Sequence, residues 1–283
     1  MADDKVTVYI STCNRLELLK RAVSSVLTQD YTNIELIICD DASNDGTKQY
    51  SLEISQNDPR VKYMRNDFNK GACATRNLAI FSATGKFITG LDDDDTFSSN
   101  RISYFISNWD EKYSFLCANF TNKFDDKEFL NYSNNTGQTF CLNDILFENQ
   151  ASNQIFTLTS RLVSIGGFDI SVKRLQDWDT WLKLTSMYGQ FLRLPASTYV
   201  MYHNHSINTV RVSNSYSFLK ALEDLRDRNI DLYDVKSLVI MNHIISLGNK
   251  TMRLTDYIHF LYLLRNIKLF FSYVYQYRIK KKI

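Results

Sequence analysis

Four consecutive aspartates, Asp92, Asp93, Asp94 and Asp95, follow directly on the apolar run 87–91 (FITGL). An apolar strand feeding straight into carboxylates sets hard oxygen ligands at a fixed, exposed edge. That suits Mg²⁺ or Mn²⁺ held by one or two protein carboxylates, with phosphate oxygens and water completing the shell. A divalent ion there would bridge a diphosphate and neutralise its charge as it leaves. An acidic loop or a calcium site is the plainer alternative, but the D-x-D-x-D-G spacing of an EF-hand is absent. A second pair, Asp40 and Asp41, closes the run 34–39 (IELIIC). A carboxylate at that point accepts a hydrogen bond from a base N–H or a ribose hydroxyl, or else opens the Ser43-Asn44-Asp45-Gly46 turn. A third candidate, Asp177, lies in QDWDTW, where a helix begins and its dipole favours an anion. It reads either as a helix cap or as a general base, which must sit within reach of the proton it takes. Asp179 reads as a solvated or hydrogen-bonded helix residue.

The elements that must position these groups are legible over the first hundred residues. Residues 6–11 (VTVYIS), 34–39, 61–64 and 87–91 are β-branched and apolar, as buried parallel strands are. Between them Leu18, Leu19, Ala22, Val23, Val26 and Leu27 recur at helical spacing, and residues 72–83 read as another helix. Asn14, with Glu17 three residues on, is the expected capping box of the first helix. Strands alternating with helices predict a mostly parallel α/β sheet with right-handed crossovers. Ligands in such sheets bind beyond the carboxyl ends of the strands, where Ser11-Thr12-Cys13-Asn14, Asp40-Asp41 and the tetra-aspartate fall together. Residues 121–139, rich in Asn, Asp, Lys and Ser, read as a loop or flap; residues 155–159 read as a strand, 178–187 as a helix, and the last seventy residues as helical.

Composition narrows the class. The chain has 283 residues, 44% hydrophobic and 13% aromatic, enough for a sizeable core. A net charge of +2 argues against general nucleic-acid binding, which needs many cations to displace counterions. Five well-separated cysteines without a CxxC pair suggest neither a disulfide framework nor a zinc site. The polar start, without a basic segment followed by an apolar one, reads as cytoplasmic.

Three stretches, VTVYISTCNRLELLKRAVSSVLTQDYTNIELIICDDASNDGT, NKGACATRNLAIFSATGKFITGLDDDDTF and GGFDISVKRLQDWDTWLKL, resemble the family 2 glycosyltransferases in order and spacing over about residues 5–185. The resemblance implies the GT-A (Rossmann-like) fold, a central sheet flanked by helices, with a helical C-terminal extension. Residues 1–100 would form a nucleotide-sugar-binding half, 101–210 an acceptor-binding half of the same domain, and 211–283 the helical region. It further implies a UDP-sugar donor, a divalent ion and inversion at the anomeric carbon. By position, Thr12 and Asn14 would border the uracil pocket, Asp41 would bond the base and Arg76 would face the nucleotide. Asp92 and Asp93 would meet the nucleotide-sugar, with Asp94 and Asp95 on the metal; a register shift of one residue stays open because all four are aspartate. Asp177 would be the base, although Gln176 stands where the family has Glu; loss of that like charge should leave the Asp177 pKa lower. His203 and His205, with Arg211, lie where some family members bring a metal ligand or diphosphate contact, and the choice between the two histidines is open. The acceptor implied is a lipid-pyrophosphate-linked saccharide of bacterial O-antigen or capsule, with galactose or glucose as the favoured sugar. A catalytically inactive nucleotide-sugar-binding protein and a membrane-surface scaffold are the alternatives from other classes.

The C-terminus adds a partner. From residue 255 to 283 six cations stand against Asp256, interleaved with aromatic and aliphatic side chains such as Tyr257, Phe260, Tyr262, Phe270, Phe271 and Tyr277. Arg265, Asn266 and Lys268 interrupt the apolar run, so a basic amphipathic helix on an anionic membrane face is expected rather than a spanning one. The expected location is the inner face of the cytoplasmic membrane, as a peripheral protein.

Overall fold

The computed structural model describes residues 4–152, 154–203 and 216–279. The chain divides into two compact units, Met1–Ser171 with Gln176–Thr209, and Val172–Leu175 with Val210–Ile283.

In the first unit, β1 (Val6–Thr12), β2 (Ile34–Asp40), β3 (Val61–Arg65) and β4 (Phe87–Asp92) run parallel in the order β3-β2-β1-β4. The ladders extend into the first polar residue of each acidic motif, because backbone pairing does not depend on the side chain. The register sets Thr12 opposite Asp40 and Ser11 opposite Asp92, so the two acidic strand ends flank the end of β1. Val6, Val8 and Ile10 of β1 and Leu36 and Ile38 of β2 pack with Leu19, Ala22, Val23 and Val26 of α1 (Leu16–Leu27) in one core. Each Val, Leu or Ile among them contributes roughly 1.5–3 kcal/mol of burial. The opposite face of β1 and β2 receives α3 (Ala72–Ser82).

The start of α1 departs from the expected capping box. Asn14 is left-handed (φ 55°), and its side chain accepts the Asn44 N–H at 2.8 Å. The helix is instead capped from the loop after β2, where Asp45 accepts the Leu16 N–H at 2.9 Å. Glu17 faces water and pairs with Lys20 at 2.7 Å. Local spacing pointed to a cap within the chain segment, but the neighbouring loop supplies it.

Beyond β4 the sheet becomes mixed. β9 (Phe156–Leu158) pairs antiparallel with β4 and with β6 (Leu116–Lys123). β6 lies parallel to β10 (Phe191–Tyr202), which carries the short antiparallel β5 (Thr96–Phe97). Phe156 joins the halves by stacking on Phe87 at 4.9 Å and on Phe105 of α4 (Arg101–Asn108) at 5.1 Å. The polar segment 121–139 holds the end of β6 and two short strands, β7 (Glu128–Leu130) on β6 and β8 (Gln138–Phe140) on β10. Edge pairing through the backbone needs no apolar pattern, which is why composition alone suggested a loop. The remaining helices of this unit are α2 (Thr47–Asn57), α5 (Leu142–Ile145), α6 (Thr159–Ser164) and α7 (Gln176–Tyr188).

At the amino end of the strands, Glu35 joins three segments. It accepts bonds from Thr7 Oγ1 at 2.8 Å and from the Thr84 N–H and Oγ1, both at 2.9 Å, and pairs with Lys62. Burial alone would raise its pKa, but these donors bring it down to about 2.

The second unit is helical: α8 (Phe218–Arg228), α9 (Val235–Gly248), α10 (Leu254–Leu264) and α11 (Ile267–Tyr273), ending in a π-helical turn, Val274–Ile279. The C-terminal run breaks at Arg265, which is left-handed (φ 49°), and Asn266 then caps α11 by accepting the Leu269 N–H at 3.0 Å. No helix among the described residues is long and apolar enough to cross a membrane.

Candidate active site

The strand order brings the acidic motifs to one edge of the sheet and gives each aspartate different partners. Asp93 is buried: Oδ2 accepts the Thr12 hydroxyl at 2.7 Å and Oδ1 accepts Arg15 Nη1 at 3.0 Å. The same Arg15 nitrogen reaches Asp94 Oδ2 at 3.2 Å, and Arg21 donates to the Asp94 carbonyl. Asp95 turns inward, accepting the Tyr199 hydroxyl at 2.7 Å and the Tyr202 N–H at 2.9 Å, which ties the loop to the end of β10. Asp92 accepts Gln154 Nε2 at 2.9 Å and Arg76 Nη2 at 3.2 Å.

Arg76, on the face of α3 toward the sheet, spans the site. Its other terminal nitrogen, Nη1, lies 3.3 Å from Asp177 Oδ1 in the first turn of α7, 101 residues away in the chain. One guanidinium therefore joins the carboxylate after β4 to the carboxylate that opens α7. Its plane is backed by the Phe168 ring at 5.1 Å. Phe168 is fixed in turn by Asn77, whose amide exchanges two 2.8 Å bonds with the Phe168 backbone. That exchange explains Gly167: at φ 69°, a Cβ would lie 2.4 Å from Asn77 Oδ1. Gly90 has a comparable duty, since a Cβ there would meet Gln154 Oε1 at 2.0 Å and the Tyr9 ring at 2.5 Å.

Asp41 is buried and shapes the loop entering α3. Oδ1 accepts Asn66 Nδ2 and the Lys70 N–H, both at 2.8 Å, and Oδ2 accepts the Gly71 N–H at 2.9 Å. A carboxylate oxygen has two acceptor positions, so Oδ2 retains capacity for a ligand donor. Asn14 stands across the same crevice, its N–H donating to Ser43 Oγ at 2.8 Å. Asp40 is committed to structure, holding Tyr63, Arg65 and the Ser43 N–H. His203 stacks on Phe124 at 4.4 Å and bonds Asn122 Oδ1 at 2.8 Å. His205 and Arg211 lie outside the described residues.

Electrostatically, five carboxylates (Asp92 to Asp95 and Asp177) gather at one edge, and the guanidinium groups of Arg15, Arg21 and Arg76 contact them among the described residues. Burial pushes Asp93 up to about 6, with Arg15 opposing the rise and Asp94 adding to it. Burial, then the charges of Asp92 and Asp94, push Asp95 up to about 8. Burial likewise raises Asp177 to about 7; Arg76 opposes this and Asp92 reinforces it. The neutral Gln176 adds no like charge beside Asp177, so the rise comes from burial and from Asp92. Among the described residues no three His, Cys, Asp or Glu side chains converge as a ready-made metal cage. A cation held chiefly by Asp94, whose side chain is 20% exposed, with phosphate oxygens for its other ligands, fits this donor set.

Arg15, Gln154 and Tyr199 are site residues that sequence reasoning missed. Arg15 had a signal, a cation directly after the Thr12-Cys13-Asn14 strand end. Gln154 and Tyr199 had none, since nothing local distinguishes a loop amide or a strand tyrosine that meets an aspartate more than sixty residues away.

A mixed, mostly parallel sheet flanked by helices, with acidic strand ends at one edge, is the architecture of GT-A nucleotide-sugar enzymes. The fold superposes on the Staphylococcus aureus TarS 1–349 structure in complex with UDP-GlcNAc with a TM-score of 0.69, at 18% identity, over 95% of this chain and 81% of that one. The chain belongs to Glycosyl transferase family 2, whose pattern matches residues 7–168, and is an enzyme of the hexosyltransferase class. It is 33% identical over 250 residues to the putative colanic acid biosynthesis glycosyl transferase WcaA of Escherichia coli K12, covering 82% of this chain and 86% of that one. It is 40% identical over 107 residues to the E. coli UDP-Glc:alpha-D-GlcNAc-diphosphoundecaprenol beta-1,3-glucosyltransferase WfgD, covering 38% of this chain and 42% of that one.

Proposed function

We propose that this glycosyltransferase moves a hexose, glucose or galactose, from a UDP-sugar to a lipid-pyrophosphate-linked saccharide in bacterial surface-polysaccharide synthesis, with inversion. The observation that carries the reading is Arg76, bonded at once to Asp92 beside the tetra-aspartate and to Asp177. Direct displacement needs the base and the leaving diphosphate on opposite faces of the sugar, and so on separate chain segments. Asp177, with a pKa of about 7, is substantially ionised at neutral pH and takes the proton of the acceptor hydroxyl. Arg76 keeps that carboxylate ionisable and presents positive charge toward an anionic donor. Thr12, Asn14 and Asp41 line the nucleotide end and Asp92 the ribose and sugar, while Asp93, expected beside it, is buried and holds Thr12 and Arg15 in place instead. Asp94 would hold Mn²⁺ or Mg²⁺, with His203 and His205 as further candidate ligands, whereas Asp95, expected as a second ligand, is turned inward to the Tyr199 hydroxyl and the Tyr202 N–H; when bound, the ion would neutralise charge on the diphosphate. The glucosyltransferase WfgD supports the choice of sugar and acceptor, and WcaA the polysaccharide class. A β linkage follows from inversion of an α-linked donor.

Calorimetric titration of UDP into metal-stripped protein, with and without Mn²⁺, tests the donor site. Mn²⁺-dependent binding that collapses in Asp94→Asn is the expected result. No binding of UDP under either condition would sink the reading.

A further inference from the structure

The second unit carries an apolar surface that glycosyl transfer does not use. On α10, Leu254, Ile258 and Tyr262 follow one another at four-residue spacing, and Ile267, Phe271 and Tyr275 do the same along α11 and the turn after it. All six are 53–78% exposed. The opposite side of the same segment supplies the unit's own core: Phe260 lies 5.7 Å from Phe270 and 5.9 Å from Tyr273, and all three are buried with Tyr277. Each helix is therefore apolar on two sides, one packed and one facing water. Exposed apolar stripes of this kind mark an interaction face.

Charge selects the occupant. Arg265 and Lys268, both exposed, sit at the break between the two stripes, and Arg278 follows. Asp256 is the one carboxylate in residues 254–279. A second copy of the chain would bring the same cations toward one another, whereas an anionic surface complements them. Tyr262 and Tyr275 close the stripes with rings that have an apolar body and a polar tip, suited to a boundary between hydrocarbon and water. An eleven-residue helix cannot span hydrocarbon, but it can lie in the headgroup region.

We propose that α10 and α11 form a membrane-surface element that lays the Leu254/Ile258/Tyr262 and Ile267/Phe271/Tyr275 stripes into an anionic bilayer interface, with Arg265 and Lys268 among the headgroups. This goes beyond the transfer reaction and stands on residues separate from the donor site, so either reading can fail alone.

The test is co-sedimentation of the full chain with vesicles of phosphatidylglycerol and phosphatidylcholine, against vesicles of phosphatidylcholine alone. Binding should require phosphatidylglycerol, weaken with salt, and fall at least about tenfold in Ile258→Glu/Phe271→Glu. Arg265→Gln/Lys268→Gln should lower it by about tenfold as well and, because both side chains are exposed, keeps the test decisive if the glutamate variant fails to fold. UDP binding in the same samples reports separately on the donor site. Absence of binding to the anionic vesicles, or equal binding by the charge variant, overturns the proposal. So does a wild-type dimer in light scattering that Ile258→Glu/Phe271→Glu dissociates, which would make the face a contact between copies.

Discussion

The two ends of the same parallel sheet bury carboxylates in opposite ways. At the amino end, Glu35 receives Thr7, both donors of Thr84 and Lys62, and its pKa falls to about 2. At the carboxyl end, Asp93, Asp95 and Asp177 are raised to about 6, 8 and 7 by burial beside other carboxylates, despite Arg15 and Arg76. Burial alone does not separate a structural acid from a reactive one. What surrounds the acid does: Glu35, held by four donors with no second carboxylate against it among the described residues, is a rivet, whereas acids buried beside other acids are held near neutral pH, where a proton can be exchanged.

The contrast is most sharply broken or upheld by Asp177→Asn. Transfer should drop by about 10²–10⁴ while UDP affinity stays, because only the proton acceptor is lost. Loss of UDP binding together with activity would place Asp177 on the structural side of the comparison. At the other end of the sheet, Glu35→Gln should lower stability by about 2 kcal/mol and leave UDP affinity unchanged. The sign follows from its depressed pKa of about 2. Its stabilisation is complete above an unfolded value of about 4.5 and disappears as pH falls through the folded one. Urea denaturation of wild type and variant between pH 7 and pH 2 should therefore converge at the acid end.

Arg76→Leu sharpens the comparison further. Without the guanidinium, Asp177 loses its opposing charge and its pKa climbs further, so activity at neutral pH falls by about tenfold. The rising limb of the kcat/KM profile, set near pH 7 in the wild type, should move to higher pH; an unmoved limb would show that another group is the base. The smallest effect is on stability at the site itself. Asp177 has a folded pKa of about 7 against an unfolded value of about 3.9, so its destabilisation is absent below about pH 4 and complete above about pH 7. Asp177→Asn should then be more stable than wild type at pH 8, by about 1–2 kcal/mol since the side chain is 22% exposed, and equal to it at pH 4.

The chain order by itself determined much of this protein. β-branched runs alternating with helical stripes made a parallel sheet, and the residues closing those runs had to fall at one edge. Asp40, Asp41 and the tetra-aspartate were therefore neighbours before any coordinate was known, and the three motifs pointed to the family. What tertiary structure alone decided is which side chain each acid meets. Arg76 reaches Asp177 across 101 residues, Asp95 turns in to Tyr199 across 104, and Asp45 caps a helix that Asn14 was expected to cap. The mixed half of the sheet and the edge strands of residues 121–139 also needed three dimensions, because backbone pairing leaves no mark on composition. Periodicity is a local property of the chain, whereas desolvation and hydrogen-bond partners depend on which distant loops meet.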